Sequence, residues 1–353
     1  MKIELYSPTI RRREMDAVLT AMVEDQIGPG ERSRLLIQTA KERLHFDYAL
    51  ALRSPATALR LALKALDVKD GDGVLVSALS PRYYAQVFAD LRLTPLYCDV
   101  SFSFPCMSRE TIEKAIAALP AALPAGVEPR CIVLHHTLGF APDASSIAEL
   151  GIPVIEDISQ SYNPPSADSQ EAAGPAIRGV FAILGLEERD MLTSGGGALL
   201  FAMNRRDGAA LRDFSNIPPE YCLPDINAAL AAAQFREAAK NMIKRREIAG
   251  AYTQASLRTK HKRFIPLDGA EYNNYAFPLA LETGMKDVAA YARKKEIIVE
   301  SAFEQSLAGA GISDSALCPV SHSLSLRTAL FPLYPRLNAE DARRVSRLIM
   351  TLP

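Results

Sequence analysis

The stretch most able to do chemistry is a charged turn followed by a glycine run. The turn contains Glu187, Glu188, Arg189 and Asp190, and the glycines are residues 195–197. Apolar runs on both sides predict a strand, a turn and a second strand, with the polar residues where the first strand ends. A carboxylate in this turn could act as a general base, and a guanidinium could bind a phosphate or carboxylate group.

Two further candidates also stand at the ends of apolar runs. Arg53 follows the run 48–52, and Asp157 ends the run 152–157. Ligands of parallel α/β sheets bind at the carboxyl ends of the strands, so these ends are the places to expect a site. Arg53 and Arg189 could together bind an anionic group. Asp157 could contact a ligand or simply cap the segment that follows it.

Alternating strands and helices must position these residues. Ser54 is a favourable N-cap and Pro55 a favourable first helical residue, so a helix is predicted from Pro55. The alternation predicts an α/β fold with a mainly parallel sheet and helices on both faces. The predicted strands are 48–52, 74–76, 95–100, 131–135, 152–157 and 180–184, with another after the glycine run, and the other predicted helices are 7–25, 31–46, 83–91 and 108–119.

The pattern changes at Asp225, where a long alanine-rich helical run begins. A helix of this length is expected to connect two domains. The remainder predicts a small α+β unit with strands at 275–281 and 297–299 and helices at 285–294 and 338–348. We therefore predict a large domain over 1–235 and a small C-terminal domain over 236–353.

The charge balance excludes some partners. The chain has 40 basic and 41 acidic residues and a formal charge of -1. No bulk electrostatic attraction to nucleic acid or to an anionic membrane is expected. The N-terminus has no long apolar signal segment, and no later segment has the run of about 20 apolar residues that spans a membrane. The expectation is a cytoplasmic protein.

Cysteine and histidine usage gives no indication of a metal. The five cysteines are scattered and include no C-x-x-C pair, which argues against both a disulfide framework and a zinc site. His135 and His136 are adjacent near the end of a predicted strand. Neighbouring side chains of a strand point to opposite faces, so the two rings are not expected to share a metal ion.

Six short motifs, in order along nearly the whole chain, resemble those of the DegT/DnrJ/StrS sugar aminotransferases, a group of fold type I pyridoxal-phosphate (PLP) enzymes. Residues 154–160, Val-Ile-Glu-Asp-Ile-Ser-Gln, are similar to the family's Val-Ile-Glu-Asp-Ala-Ala-Gln. The other motifs are Gly28-Pro29-Gly30, residues 51–59, residues 225–234, residues 245–252 and residues 331–335. The resemblance implies a mainly parallel seven-stranded sheet, a smaller C-terminal domain, PLP as cofactor and a homodimer with the cleft at the subunit interface.

The resemblance fails at the residue that the chemistry needs most. The family's loop, Phe-Ser-Phe-His-Pro-Thr-Lys-Asn-Leu-Thr-Thr-Gly-Glu-Gly-Gly, carries PLP on its lysine as a Schiff base. Alignment of the glycines puts Arg189 at that position, and the chain has no lysine from 115 to 239. A guanidinium stays protonated and is a poor nucleophile. Some relatives are dehydratases with a histidine there, but this loop has no histidine either.

The other positions that the resemblance implies for the cofactor also depart from the family. The family's phosphate-binding Gly-Thr aligns with Pro55 and Ala56, which removes one N–H donor and one hydroxyl. Its phosphate-binding serine aligns with Leu184. An asparagine contributed across the dimer aligns with Glu220, whose charge would repel a phosphate. Ser54 or Thr57 could partly replace the lost phosphate contacts. The family's aromatic residue that stacks on the cofactor ring aligns with Pro81, and Tyr83 or Tyr84 could take its place.

Two functions of different class remain open. The first is a non-catalytic relative that keeps the dimeric fold and binds a partner, such as an active paralogue, or a nucleotide-sugar or other anionic ligand. The second is an enzyme on nucleotide-linked keto-sugars or amino sugars, which would bind the cofactor non-covalently in its amine form or use Glu187 or Glu188 as a base. The retained pair of Asp157 and Gln160 favours the second function.

Overall fold

A computed structural model describes residues 2–122, 127–164, 177–214, 216–268 and 272–353. Its larger sheet has seven strands in the order β1-β7-β6-β5-β4-β2-β3. The strands are β1 Tyr48–Leu52, β2 Gly73–Ser77, β3 Thr94–Cys98, β4 Pro129–His135, β5 Val154–Asp157, β6 Phe181–Gly185 and β7 Ala198–Ala202. The predicted mainly parallel sheet is confirmed, because β3, β2, β4, β5 and β6 all run in the same direction.

Strand β7 reverses the chain direction and is antiparallel to both β6 and β1. The glycine run makes this reversal possible. Gly195, Gly196 and Gly197 have φ angles of 74°, 138° and 124°, a region of backbone space that residues with a Cβ rarely enter. The loop between β6 and β7 therefore needs glycines for its shape, whatever else it does.

Helices cover both faces of this sheet, as predicted. The helices of the first part are α1 Arg12–Val23, α2 Glu31–Leu44, α3 Pro55–Ala65, α4 Tyr83–Asp90, α5 Arg109–Ala122, α6 Ala144–Ala148 and α7 Arg205–Arg212. Alternate strand residues enter different cores: Val74 and Val76 pack with α3 and α4, whereas Leu75 packs with α5 and α6. The strands consist mostly of apolar residues because both of their faces are largely buried.

The second part of the chain begins with α8 Asp225–Ser256, a helix of 32 residues. The other elements are β8 Phe277–Ala280, α9 Met285–Lys294, β9 Glu300–Ser301, α10 Pro319–Arg327, β10 Thr328–Phe331 and α11 Ala339–Met350. The three strands form an antiparallel sheet in the order β8-β10-β9. Helix α8 continues without a break across the predicted domain boundary at 235/236.

One strand prediction in this part is wrong. Residues 297–299 are not a strand; the strand is β9, which begins at Glu300, and Ile297 makes a single isolated bridge with Ile3. Ile297 and Val299 are buried in the core of the second part. Their apolar character therefore reflects burial rather than pairing within the small sheet.

Asp225 fixes the start of α8 against the start of α2. Its Oδ1 accepts hydrogen bonds from the backbone N–H of Gly30 at 2.9 Å and of Ser33 at 2.8 Å, and its Oδ2 accepts one from Arg32 at 3.0 Å. Burial acts to raise the pKa of Asp225, but the hydrogen bonds from Ser33, Arg32 and Gly30 outweigh it, so that the pKa is lowered. A Cβ on Gly30 would lie 2.8 Å from Oδ2 of Asp225, which explains the glycine at the end of the Gly28-Pro29-Gly30 motif.

No helix within the described ranges combines the length and the apolar character needed to cross a membrane.

Candidate functional site

Asp157 lies at the end of β5 and is 1 % exposed. Its Oδ1 accepts hydrogen bonds from the backbone N–H of Ser159 at 3.1 Å and from the Ser159 hydroxyl at 2.5 Å. Its Oδ2 accepts from the hydroxyl of Tyr84 at 2.6 Å and from that of Tyr83 at 3.3 Å. A carboxylate offers about four acceptor positions, and these donors take all four.

Tyr83 and Tyr84 reach Asp157 from the first turn of α4. Tyr84 is fully buried and packs edge-on against Phe88 and His135. Burial, followed by the negative charge of Asp157, raises the pKa of both tyrosines well above the ordinary value. Both hydroxyls therefore remain protonated donors to Asp157 at neutral pH, and Tyr84 acts as a hydrogen-bonding core residue rather than as a stacking platform.

The start of the β6–β7 loop lies against Asp157. The backbone N–H of Gly185 donates to the Ser159 hydroxyl at 2.7 Å. A Cβ on Gly185 would lie 2.3 Å from Oδ2 of Asp190 and 2.7 Å from the Ser159 hydroxyl. The absence of a side chain at Gly185 thus lets the carboxyl of Asp190 approach the Asp157–Ser159 pair.

Asp190 is the residue of the charged turn that points inward. Its Oδ2 accepts a hydrogen bond of 2.8 Å from the backbone N–H of Glu187. Burial raises the pKa of Asp190 from 3.8 to about 7, and the charges of Asp157 and Glu187 add to the rise while the Glu187 hydrogen bond opposes it. Two carboxyl groups therefore lie near each other at this edge of the sheet, and one of them titrates near neutral pH.

Arg189 points outward. Its Nη1 forms an ion pair of 2.9 Å with Oε2 of Glu300 on β9, and its side chain is 59 % exposed. The hydroxyl of Tyr275 donates to the backbone carbonyl of Arg189 at 2.8 Å. The hydrogen bond that Arg189 donates to Glu300 is the main reason that the pKa of Arg189 is raised. The position predicted to replace the lysine thus contacts the second part of the chain rather than Asp157.

The start of α3 is capped by its own side chains. The Ser54 hydroxyl accepts from the Thr57 N–H at 3.2 Å and lies 3.0 Å from the Thr57 hydroxyl. This confirms Ser54 as the N-cap and Pro55 as the first helical residue. Pro55 is buried, Ala56 is half-buried, and the neighbouring Arg53 is exposed. Ser54 and Thr57 therefore satisfy each other at this helix end.

The remaining predicted site residues are dispersed. Leu184 is fully buried in the core between the sheet, α2 and α8. Glu220 is exposed in a short 3-10 turn, and Glu187 and Glu188 are exposed in the charged turn. Gln160 lies near Asp157 in the chain, but its Oε1 accepts from the Leu138 N–H at 2.7 Å. The structure brings Tyr84 and Asp157 together and leaves Glu220 at the surface.

The described side chains at this edge do not fit a covalently bound PLP group. An amine that could carry the cofactor is missing from the charged turn, where Arg189 is paired with Glu300. The acid that would meet a pyridinium nitrogen, Asp157, has its acceptor positions filled by Tyr83, Tyr84 and Ser159. Pro55 has no N–H to offer a phosphate.

A buried network beside β5 was missed by sequence reasoning. The Ser161 hydroxyl lies 2.8 Å from Nδ1 of His136, whose Nε2 lies 3.0 Å from Oε2 of Glu156. Glu156 also accepts from the N–H groups of Arg178 and Gly179, each at 2.6 Å. The order serine, histidine and glutamate resembles a nucleophile, base and acid. Ser161 is only 4 % exposed, which leaves a nucleophile at this position little access to a substrate. The network instead connects the ends of β4 and β5 to the chain entering β6.

The two adjacent histidines have separate surroundings. His136 belongs to the network above, whereas Nδ1 of His135 lies 3.0 Å from the Thr137 hydroxyl. Burial lowers the pKa of His135 to about 4. Within the described ranges, no group of three or more histidine, cysteine, aspartate or glutamate residues is arranged to hold a metal ion.

A sequence model of the DegT/DnrJ/EryC1/StrS aminotransferase family matches residues 8–350. The chain belongs to this family. Family members are PLP-dependent, and the fold described above is the family fold. The motifs that resembled the family in the sequence lie just before α2, in β1 and α3, in and just after β5, in α8, and at and just after the end of β10.

Proteins described as sugar-pathway aminotransferases are similar to the chain along nearly their full length. The dTDP-4-dehydro-2,3,6-trideoxy-D-glucose 4-aminotransferase of Saccharopolyspora spinosa is 24 % identical, and the match covers 98 % of this chain and 95 % of the relative. PseC of Helicobacter pylori, an aminotransferase of pseudoaminic acid biosynthesis, has a TM-score of 0.82 at 16 % identity, with 99 % and 98 % of the two chains covered. Spr1654 of Streptococcus pneumoniae in its PLP form has a TM-score of 0.85 at 15 % identity, with the same coverage.

Proposed function

We propose that this chain is a non-catalytic member of the family, in which the aminotransferase fold serves to bind a ligand or a partner chain. The observation that carries the proposal is the commitment of Asp157 and Arg189 to other residues of the protein. Asp157 receives four hydrogen bonds from its neighbours, and Arg189 is paired with Glu300. An amine tethered near Asp157 is what the family's transamination requires.

The class of ligand that we propose is anionic, such as a nucleotide-sugar. Arg53 is the exposed cation at the end of β1, and a guanidinium suits phosphate groups. Arg189 would contribute only if its ion pair with Glu300 opened. Exposed ion pairs of this kind are worth about 0–1 kcal/mol, so an anionic ligand could compete with Glu300.

The test is covalent capture of the cofactor. The purified chain is mixed with PLP, reduced with borohydride and weighed as the intact protein, and any label is located by peptide mapping. Scattered partial labelling of surface lysines is the expected result. The Arg189→Ala variant serves as the control and should label to the same extent. A single fully labelled lysine next to Asp157 would refute the proposal.

A second candidate function is amino-group transfer to nucleotide-linked keto-sugars. It is favoured by the similarity to the Saccharopolyspora spinosa enzyme and by the presence of Asp157 with Gln160. The test incubates the chain with dTDP-4-dehydro-2,3,6-trideoxy-D-glucose, L-glutamate and excess PLP. Amino-sugar formation above a protein-free control, detected by mass spectrometry, would favour this function over the first. Amino-sugar formation at the level of the control would exclude amino-group transfer to this substrate.

We also propose that the chain forms a homodimer through α1. One side of α1 packs on α8, and the other side presents Met15, Leu19, Met22 and Val23, which are 50 %, 56 %, 48 % and 82 % exposed. Residues 15, 19 and 22 share a helix face, and a row of exposed apolar side chains favours contact with another surface.

Sedimentation velocity tests the dimer with a matched pair of variants. Leu19→Glu should shift the chain towards the monomer, because it places a charge in the proposed contact. Leu326→Glu changes another exposed leucine, 76 % exposed on α10, and should sediment like the parent. A parent that is monomeric at micromolar concentration would exclude the proposal.

A further inference from the structure

A basic surface segment follows the end of α8 and leads towards β8. Residues 257–267, which we name the basic strip, include the cations Arg258, Lys260, Lys262 and Arg263 and contain no acidic residue. All four cations are exposed. The chain as a whole has a formal charge of -1, so the basic strip is a local excess of positive charge on a nearly neutral protein.

Two cations of the basic strip have no carboxylate partner within the described residues. Lys262 forms an exposed ion pair of 3.3 Å with Glu282. Lys260 forms no such pair, and Arg263 has only a contact of 3.5 Å with the Thr253 hydroxyl. An incoming carboxylate can therefore bind Lys260 and Arg263 without displacing an acid of the chain. Glu282 opposes an anion, but Lys262 neutralises its charge.

Three exposed apolar side chains accompany the basic strip. They are Phe102 after β3, Ile265 in the strip and Leu326 at the end of α10, which are 54 %, 64 % and 76 % exposed. The Ile265 N–H donates to the Ser103 carbonyl at 2.8 Å, which places Ile265 beside the loop that carries Phe102. The guanidinium carbon of Arg327 lies 5.1 Å from the centre of the Phe102 ring, and Leu326 precedes Arg327 in α10. Exposed apolar residues that are grouped in this way indicate a contact surface.

The basic strip also has a free backbone edge. The Lys262 N–H donates to the Ala280 carbonyl at 2.9 Å, and the Ala280 N–H donates to the Lys262 carbonyl at 2.8 Å. The next residue of an extended chain directs its backbone groups to the other side. Within the described part of the chain, the N–H and C=O of Arg263 make no hydrogen bond. A second extended chain can add to such an edge through backbone hydrogen bonds.

We propose that the basic strip is the docking surface for an extended segment of a partner protein, in which apolar side chains are flanked by acidic ones. The apolar side chains contact Phe102, Ile265 and Leu326. The flanking carboxylates pair with Lys260 and Arg263, and the partner's backbone pairs with that of Arg263. Affinity then comes from the backbone hydrogen bonds and specificity from the side chains. None of these residues belongs to α1, through which the homodimer is proposed to form.

A lipid surface also attracts cations together with apolar side chains. It offers no ordered row of backbone donors and acceptors, however, and the free groups of Arg263 are directional. The apolar side chains also come from two loops and a helix end rather than from one face of an amphipathic helix. An extended protein segment matches the charge, the apolar contacts and the backbone edge together, and is therefore the occupant that the surface favours.

Fluorescence anisotropy of a labelled peptide, titrated with the full chain, tests the proposal. The probe is the synthetic peptide Glu-Glu-Leu-Thr-Phe-Thr-Leu-Glu-Glu, whose apolar side chains share one face when the peptide is extended. Saturable binding is expected, and it should weaken as salt is added. The control peptides are Lys-Lys-Leu-Thr-Phe-Thr-Leu-Lys-Lys and Glu-Glu-Ser-Thr-Ser-Thr-Ser-Glu-Glu, which should bind about tenfold more weakly or less. No saturable binding of the probe, or equal binding of either control peptide, would overturn the proposal.

Two matched pairs of variants show whether the peptide is bound at the basic strip. Leu326→Glu should weaken binding about tenfold, whereas Leu35→Glu, at an exposed leucine of α2, should bind like the parent. Arg263→Glu should weaken binding to a similar extent, whereas Lys286→Glu, at an exposed lysine of α9, should not. All four positions are at the surface, so the melting temperatures should remain close to that of the parent. Unchanged affinity in Leu326→Glu or in Arg263→Glu would overturn the proposal.

Hydrogen–deuterium exchange of the unmodified chain gives an answer that does not depend on any variant. Saturating peptide should slow exchange in residues 101–104 and 262–265. Slowing confined to other segments would contradict the site.

Co-sedimentation with vesicles tests the lipid alternative. The vesicles are equimolar in phosphatidylcholine and phosphatidylserine, and the chain is expected to remain in the supernatant. Co-sedimentation that Arg263→Glu abolishes would assign the basic strip to a lipid surface and overturn the proposal. The inference is independent of the proposed function, because PLP capture reports on the Asp157 edge and these experiments report on the basic strip.

Discussion

The hydroxyl of Tyr84 donates a hydrogen bond of 2.6 Å to Oδ2 of Asp157, across 73 residues of sequence. The bond joins the first turn of α4 to the end of β5, inside the core. In a family whose members bind PLP, it satisfies the acid at this strand end with a side chain of the same protein. Asp157 therefore has a structural role in this chain that is complete without a ligand.

Replacement of Tyr84 by phenylalanine should destabilise the fold. The variant keeps the ring but leaves a buried carboxylate oxygen with only the longer contact from Tyr83, which costs about 1–3 kcal/mol. Urea denaturation followed by circular dichroism measures the change. Tyr97→Phe is the control, since Tyr97 is half-buried and its hydroxyl makes no hydrogen bond within the described residues. It should stay within about 0.5 kcal/mol of the parent. Equal stabilities of the two variants would contradict a structural role for this hydrogen bond.

The sequence pattern was sufficient for the large sheet and insufficient for parts of the small domain. The buried strands of an α/β fold are short apolar runs between helices, and each predicted one exists. The strand predicted at 297–299 was wrong because Ile297 forms its single bridge with Ile3, near the other end of the chain, and not with the small sheet. Helices α6, α7 and α10 and strand β10 were not predicted. In α10, Pro-Val-Ser-His-Ser-Leu-Ser-Leu-Arg, apolar residues are few and do not follow a clear helical period.

At the candidate site, sequence reasoning identified residues but not their contacts. The sequence left two roles for Asp157, contact with a ligand or capping of the following segment. The hydrogen bond that it accepts from the Ser159 N–H shows that it caps the following turn. The contact with Tyr84 depends on how α4 packs over β5, which no local pattern encodes. Likewise, the ion pair between Arg189 and Glu300 joins residues 111 apart.

Arg189→Lys should not create a covalent PLP site. A lysine at this position supplies an amine, but Asp157 remains satisfied by Tyr84 and Ser159, and Pro55 still lacks its N–H. Borohydride reduction followed by peptide mapping should find residue 189 labelled no more than exposed lysines such as Lys262. The stability should change by less than about 1 kcal/mol, because the ion pair with Glu300 is exposed. Stoichiometric labelling of residue 189 would show that the lysine was the one missing element.

Glu156→Ala should destabilise the protein strongly. Glu156 is fully buried. Its carboxylate is hydrogen bonded to Nε2 of His136 and accepts hydrogen bonds from the N–H groups of Arg178 and Gly179. Removal of this buried acceptor leaves its partners unsatisfied, at a cost of about 1–3 kcal/mol for each group. Glu149→Ala is the matched control, because Glu149 forms an exposed ion pair with Arg109 and should cost at most about 1 kcal/mol. Equilibrium denaturation compares them, and similar losses in the two variants would rule out a structural role for this network.

Asp190→Asn should change how stability depends on pH. The pKa of Asp190 is raised from 3.8 to about 7 in the folded chain, so the folded state binds the proton more tightly than the unfolded state. The contribution of this group to stability is complete below about pH 4 and is lost as the pH rises through about 7. Asparagine stays uncharged and can keep the acceptor for the Glu187 N–H. The variant should therefore match the parent near pH 4 and exceed its stability by about 4 kcal/mol at pH 8. Urea denaturation at pH values from 4 to 8 measures the difference, which should widen as the pH rises. A constant difference would show that the Asp190 carboxyl ionises as it does in the unfolded chain.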